Sequence, residues 1–374
     1  MATIRMLQAL DYDAAARLSD EVFRNEKQMS MAHSFSYLFS PITAHSFGAF
    51  EDGELLAHMG LLPSVVRIGR SRLPVFSLGS VCTSEAARGK GFGTDLLHKV
   101  QDHVASTGGV MMFVSGGRSL YTRNRCYPFG QTQIYTVTAD ANVAEEAGVT
   151  ARVLTENDCF AWYELAQERE AAFDLSLWDM HGLEHGGAFA SCVMMKPKVY
   201  VLERNGHITA YIYILFPSAK QQDAAPRVYE YGGAAEEVVY LLQLVMKQKQ
   251  ITASKVNVPW QDTEVSTCLR GYSSEEEPNQ GTLYVPSMER LFRYMQNWWS
   301  DQGALAVHIQ VTELEGGTVR LEYPDAASVE LTESQLFSLL FDPKATDILP
   351  PEWPSAEQLK ITIPLPYTIG LFYV

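Results

Sequence analysis

The spacing of apolar residues divides the first third of the chain into short strands and two helices. Ile4–Ala9 reads as a strand, and the apolar repeat over Asp11–Arg24 predicts a helix. Ser46–Phe50 and Leu55–Pro63 flank the turn Glu-Asp-Gly-Glu, which predicts a hairpin. Val65–Ile68 and Leu73–Val81 flank Gly-Arg-Ser-Arg and predict a second one. A glycine-rich loop follows, then a helix to about Ser106. Val110–Ser115 is a near-continuous apolar run, the pattern of a buried strand, and Gln131–Thr138 alternates as a further strand should.

The same order then recurs. Residues 141–150 read as a linker, and ARVLTENDCFAWYELAQERE opens a second unit with a strand and a helix. Lys198–Glu203 and His207–Phe216 flank Arg204–Asn205–Gly206, whose Asn-Gly predicts a tight turn, and Glu236–Lys249 reads as a helix. From Pro286 the pattern changes. Met288–Trp299 is an amphipathic helix, Val307–Leu314 and Thr318–Tyr323 form a hairpin across Glu315–Gly316–Gly317, and SVELTESQLFSLLF predicts a strand and a helix capped at Thr332. The tail, ITIPLPYTIGLFYV, is apolar to the last residue, so it is expected to be buried or tucked into a site. These elements predict an α/β fold of the mixed, α+β kind.

Composition narrows the function. A chain of 374 residues with 47% hydrophobic and 20% charged residues is expected to form two or three globular domains. A formal charge of −15 argues against nucleic acid or an anionic membrane as partner. No apolar run approaches the roughly 18–20 residues that span a bilayer, and no secretory pattern follows Met1. The five scattered cysteines include no CxxC pair and read as reduced thiols, so a cytoplasmic protein is expected.

The chemistry concentrates in AARGKGFGTDLL, residues 86–97. A loop with three glycines and two cations, set between a strand and a helix, is an anion site in outline. The first helical N–H groups lack internal partners, the helix dipole is positive there, and glycine lets the backbone approach a phosphate. A Walker loop would need glycine at 84 and Ser or Thr at 91, where the chain has Ser84 and Gly91. Gly89, Gly91 and Gly93 miss the last spacing of a dinucleotide fingerprint. Arg88, Gly91 and Gly93 fit the Arg/Gln-x-x-Gly-x-Gly/Ala signature, so the loop resembles that of the GNAT N-acetyltransferases. Leu120–Tyr121–Thr122–Arg123 also matches the family's tyrosine motif, although Arg125–Cys126 stands where Gly-Phe is usual and Tyr127 remains a rival to Tyr121.

The whole chain resembles a narrower group, the Eis-type acetyltransferases. That resemblance implies a catalytic GNAT domain over 1–145, a degenerate GNAT-like domain over 146–285 and a sterol-carrier-protein-like α+β domain over 286–374. It implies acetyl-CoA as co-substrate, held by Val81, Cys82, Thr83, Arg88, Gly89, Lys90, Gly91, Phe92, Gly93, Thr94 and Ser115. The acceptor is a small cationic amine such as an aminoglycoside, a polyamine or a lysine side chain. Tyr121 is then the general acid, and the terminal carboxylate of Val374 the base, although relatives more often end in an aromatic residue. Homo-oligomers, hexamers included, occur in the group. A non-catalytic CoA- or lipid-binding sensor or scaffold is the alternative.

Other signals are set aside. HGLEH, 181–185, has the spacing of a zinc-peptidase motif but reads as a glycine-interrupted loop, so no metal is expected. Trp298–Trp299 read as core, SSEEEP (273–278) as a solvated loop, and Cys82 as a packing residue without an evident histidine partner.

Overall fold

A computed structural model describes residues 2–25, 27–218 and 224–374. They fall into two compact units, each described here by itself.

The first unit comprises the chain up to Gly130, Asn279–Pro366 and Val374. Its main sheet runs β1 (Thr3–Met6), β2 (Phe47–Glu51), β3 (Glu54–Ile68), β4 (Ser71–Thr83), β5 (Met111–Val114) and a strand at Thr282–Tyr284. Neighbours are antiparallel except β4 and β5, which are parallel and joined through a helix. That helix, α3, follows α1 (Tyr12–Phe23) and α2 (Met31–Ser34), spans Phe92–Ser106, and precedes the short α4 (Ser119–Thr122). Leu96, Leu97, Val100 and Val104 of α3 bury against Ala57, Met59 and Leu61 of β3 and Phe76 and Leu78 of β4. The 3.6-residue spacing on the helix thus meets the two-residue spacing of the strands. On β4, Ser80 and Cys82 reach Ser19 of α1.

One expectation fails at Pro63. The sequence divides Leu55–Pro63 from Val65–Ile68, but β3 runs through both, and Pro63 is paired with Phe76. Pairing with β2 ends at Met59, so proline's missing N–H falls where β3 has lost that neighbour.

The rest of this unit comes from the end of the chain. The helix Met288–Asp301, capped by the Ser287 side chain, buries Leu291, Phe292, Met295, Trp298 and Trp299, so the tryptophan pair is core. Strands Gln310–Glu313, Thr318–Glu322 and Val329–Thr332 form a small antiparallel sheet. Thr332 and Gln335 make the capping box of the helix Glu333–Phe341, and Glu333 takes a two-pronged pair from Arg125 at 2.8 and 2.7 Å.

The second unit comprises Gln131–Pro278 and Tyr367–Tyr373. Its sheet runs Ser273–Pro278, Gln131–Thr138, Ala253–Pro259, Arg227–Gly233, His207–Phe216, Lys196–Arg204 and Val149–Val153. Only Arg227–Gly233 and Ala253–Pro259 are parallel, and the helix Ala235–Lys249 joins them, as α3 joins β4 to β5. The compact units therefore divide the chain elsewhere than at 145 and 285. Gln131–Thr138, expected in the first unit, is hydrogen-bonded between two strands of the second.

Two loop assignments are corrected here. SSEEEP is a strand at the sheet edge with every residue exposed, so it has no apolar alternation to betray it, and its charges discourage further pairing. HGLEH lies inside the helix Leu177–Gly186, which the capping box of Ser176 and Asp179 starts despite Gly182. His181 there sets its ring on edge to Trp162, and no cluster of metal-ligating side chains occurs among the described residues.

Gly60 of β3 lies opposite Gly79 of β4, and a side chain at Gly60 would come within 2.8 Å of Leu38 and 2.9 Å of the Gly79 carbonyl. Gly60→Ala is expected to lower stability by about 1–3 kcal/mol through overpacking, measured as a shift in the denaturant midpoint at constant slope.

Candidate functional site

The site begins where β4 stops being an ordinary strand. Its parallel pairing with β5 covers Val75–Leu78 and ends at the Leu78–Val114 pair. On the other side the register with β3 slips between His58 and Gly60, which leaves an extra residue in β4. Ser80 takes up the slip with a positive φ of 48°. Beyond Leu78, β4 runs on through Gly79–Thr83 with no β5 residue opposite it among the described residues. Ser115, just past β5, turns both its N–H (3.1 Å) and its hydroxyl (3.2 Å) back to the Leu78 carbonyl and closes the end of the paired stretch.

Val374 lies at this opening. A Cβ built on Gly79 would fall 2.8 Å from the Val374 carbonyl oxygen and 3.0 Å from its Cγ1, and would collide with its carbonyl carbon. The glycine is therefore a requirement of the close approach. Any side chain at 79 would push Val374 away.

The glycine loop leads from β4 into α3. Arg88 is extended and exposed, and Lys90 reaches Glu51 at 3.3 Å in a solvent-facing pair worth little to stability. Gly89 and Gly91 have φ of 82° and 87°, and side chains there would meet nothing within 4 Å. They serve the backbone turn, which only glycine adopts without cost. Gly91 is the N-cap of α3, and Thr94 is the first residue of the turn to bond back, to the Gly91 carbonyl at 3.0 Å. The amides before it face the start of the helix, the place where an anion is best held. Gly93 differs, because a Cβ there would lie 3.5 Å from Leu120 of α4, an ordinary contact, so the packing would accept a small side chain. Phe92 is buried in the α3 core, while Thr94 is exposed. Val81 and Thr83 are half-buried beside the open edge.

The two candidate tyrosines are separated. Tyr121 on α4 is buried in the α3 core, its ring 3.0 Å from where a side chain on Gly116 would sit, and burial pushes its hydroxyl up to about 12. Tyr127 pairs its backbone with Leu283 and stacks its ring on Phe337, 5.0 Å between centroids. Ser115, Gly116 and Tyr121 are thus gathered at the end of β5, whereas Tyr127 is built into the packing of the helix Glu333–Phe341.

His58 was not singled out by sequence, and it corrects the statement that Cys82 lacks a histidine neighbour. The two residues are directly opposite in the β3–β4 register. The pair is nonetheless inert as a nucleophile and base. Burial pushes the Cys82 thiol up to about 11, and its sulfur faces the Ser19 hydroxyl at 3.6 Å. His58 Nδ1 lies 3.1 Å from the Ser80 carbonyl, which can only accept, so that nitrogen carries the proton. Nε2 is buried without a partner, and burial holds the imidazole at about 4, which keeps the ring neutral. The only sequence signal was a polar residue on the alternation of an otherwise apolar strand.

With this geometry in hand, the likeness to known proteins takes a definite form. Residues 3–124 match the family model described as the acetyltransferase (GNAT) domain. Among solved structures, a probable N-acyltransferase from Enterococcus faecalis superposes with a TM-score of 0.64 at 10% identity, covering 89% of this chain and 85% of its own. A GCN5-related N-acetyltransferase from Anabaena variabilis gives 0.64 at 11% identity with 92% of each chain covered. Eis1 from Mycobacterium abscessus gives 0.62 at 13% identity, covering 91% of this chain and 90% of its own. At such identities the likeness is one of fold, mixed α/β and GNAT-like. A search of curated proteins returned no match.

His58 makes stability depend on pH. Its folded value, about 4, lies below the ordinary 6.5, so the unfolded chain binds the proton more readily between those limits. Stability is expected to fall by roughly 3 kcal/mol as pH drops from about 6.5 to about 4, and to lose nothing more from this group below that. In His58→Gln, which does not titrate, urea midpoints should flatten across that window.

Proposed function

We propose that this chain transfers the acetyl group of acetyl-CoA to the primary amine of a small cationic acceptor, an aminoglycoside, a polyamine or a lysine-like amine, as an Eis-type enzyme. In this reading the first unit carries the chemistry, the strand-helix-strand core of the second is a GNAT-like domain without a coenzyme loop, and 286–374 is its sterol-carrier-like segment. The setting is cytoplasmic and the protein a homo-oligomer. The observation that carries the reading is Val374 against Gly79, at the point where β4 loses β5.

The chemistry follows from that juxtaposition. An alkylamine with a pKa near 10.4 is protonated at neutral pH and must lose a proton to attack. The Val374 carboxylate takes it, directly or through a water. The free amine then attacks the thioester carbonyl, the C–N bond forms to give a tetrahedral oxyanion, and as that collapses the C–S bond breaks and the nitrogen gives up its second proton, which restores the Tyr121 hydroxyl through solvent. A backbone N–H of Val81–Thr83 steadies the negative oxygen in between, since that edge has no β5 partner. Tyr121 gives its proton to the leaving thiolate, and its high pKa keeps it protonated until then. The amides at the start of α3, with Arg88, hold the coenzyme's pyrophosphate.

Thiol release from acetyl-CoA with a panel of amines tests the activity, and absence of turnover with every amine, alongside retained CoA binding, would favour the sensor reading. Tyr121→Phe is expected to lower kcat by roughly a hundredfold with little change in acetyl-CoA affinity. Arg88→Ala should instead raise the acetyl-CoA Kd by about tenfold. Residues appended after Val374 should abolish turnover, provided that intact mass ends the natural protein at Val374; a fully active extended chain excludes the carboxylate as base.

A further inference from the structure

The bulge in β4 decides which backbone amides face the open edge. Strand residues turn their N–H and carbonyl groups alternately to one neighbour and the other. The Leu78 carbonyl faces β5, where it accepts from Ser115, so Gly79 faces β3 and pairs with Gly60. Past the bulge, the Ser84 N–H donates to the Leu56 carbonyl at 2.8 Å, so Ser84 faces β3, as does Cys82 opposite His58. Val81 and Thr83 therefore face away from β3, toward the side where β5 has ended. An unbroken strand would have turned both of them to β3; the one extra residue, Ser80, reverses them.

Between these fixed points the register gives neither Ser80 nor Val81 a partner on β3. Met59, the β3 residue opposite the bulge, pairs with Phe47 of β2 and faces that way, as Leu61 does in accepting the His45 N–H at 2.7 Å. The peptide joining Ser80 to Val81 is thus without ladder bonds toward β3 and would be free to rotate. What holds it is His58, whose Nδ1–H donates to the Ser80 carbonyl at 3.1 Å. The His58 ring is fully buried beside Phe39, and its Nε2 has no partner, so its one hydrogen bond is to this carbonyl. In a trans peptide the N–H points opposite to the carbonyl. With the Ser80 carbonyl drawn to β3, the Val81 N–H is aimed at the open edge. The Ser80 hydroxyl, donating to Ser19 of α1 at 2.9 Å, fixes the other end of the same residue.

We propose that His58 is a positioning residue, which holds the Ser80 carbonyl and so presents the Val81 N–H to the oxygen of the thioester. A rotated peptide would put the Ser80 carbonyl, itself partly negative, where the oxyanion has to form. His58 touches no substrate and transfers no proton. The inference rests on the reading of the β4 edge as the receiver of the thioester oxygen and is independent of which group serves as base.

The test uses the full chain with acetyl-CoA isotope-labelled at the thioester carbonyl, whose stretching frequency falls when an amide donates to it. Wild type, His58→Leu and His58→Asn are compared by the infrared spectrum of the bound coenzyme and by thiol release with the most active amine of the panel. Asparagine places an N–H where Nδ1 stands, whereas leucine supplies bulk without a donor. In wild type and His58→Asn the bound stretch should lie below that of free coenzyme, and in His58→Leu it should return toward the free value. His58→Leu should lower kcat by roughly a hundredfold with KM for acetyl-CoA changed by less than about twofold, and His58→Asn should recover most of kcat. Replacing Val81 by its hydroxy-acid analogue deletes the N–H with His58 intact; it should reproduce both effects, and it decides the matter where His58→Leu does not fold. A lowered stretch with wild-type kcat in folded His58→Leu, or in the Val81 analogue, overturns the proposal. Equal slowing by leucine and asparagine with the stretch lowered in both also overturns it, because packing then accounts for the loss. A wild-type complex whose stretch equals that of free coenzyme removes the β4 edge as receiver, so that the reading of the site fails first and the role of His58 with it.

Discussion

Everything near the site depends on the β4–β5 pairing ending after Leu78. Two parallel strands that stayed paired to their ends would satisfy each other's amides and leave no edge for a ligand. Here the Ser115 amide and hydroxyl both turn back onto the Leu78 carbonyl, and Ser80 bulges with a positive φ on the β3 side. The strand beyond is held firmly by β3 and is free toward β5. A backbone edge that is rigid on one side and open on the other is what an acyl group needs to be received in a defined orientation.

Two glycines around this opening have separate physical reasons. Gly79 is required by the approach of Val374 and Gly91 by a left-handed N-cap. His58 adds a cost of another kind, a neutral imidazole with one orphaned nitrogen sealed under the bulge, which the fold tolerates only while the ring stays uncharged.

The tail shows how an irregular segment acquires a fixed position. Without ladder bonds it relies on aromatic contacts and on one carboxylate for its amide. That carboxylate tolerates its setting because an arginine sits beside it. Removal of one partner from such a set leaves the other buried and unpaired.

Local order was readable from sequence wherever the periodicity was strong. Gln131–Thr138 and His207–Phe216 have the expected limits, α3 ends at Ser106 as expected, and Thr332 caps its helix. The loop with Arg88, Gly91 and Gly93 was legible as a spacing, because glycine geometry and helix N-termini are local physics. Long-range pairing decided the rest. Alternation marks Gln131–Thr138 as a strand but carries no information about which sheet takes it, and SSEEEP hides its strand because an exposed edge needs no apolar face. An apolar tail implies burial, but only packing decides that Val374 meets Gly79 and Leu371 meets Glu230. Those contacts join residues far apart in the chain, and their partners are selected by shape and charge that exist only once both sheets have formed.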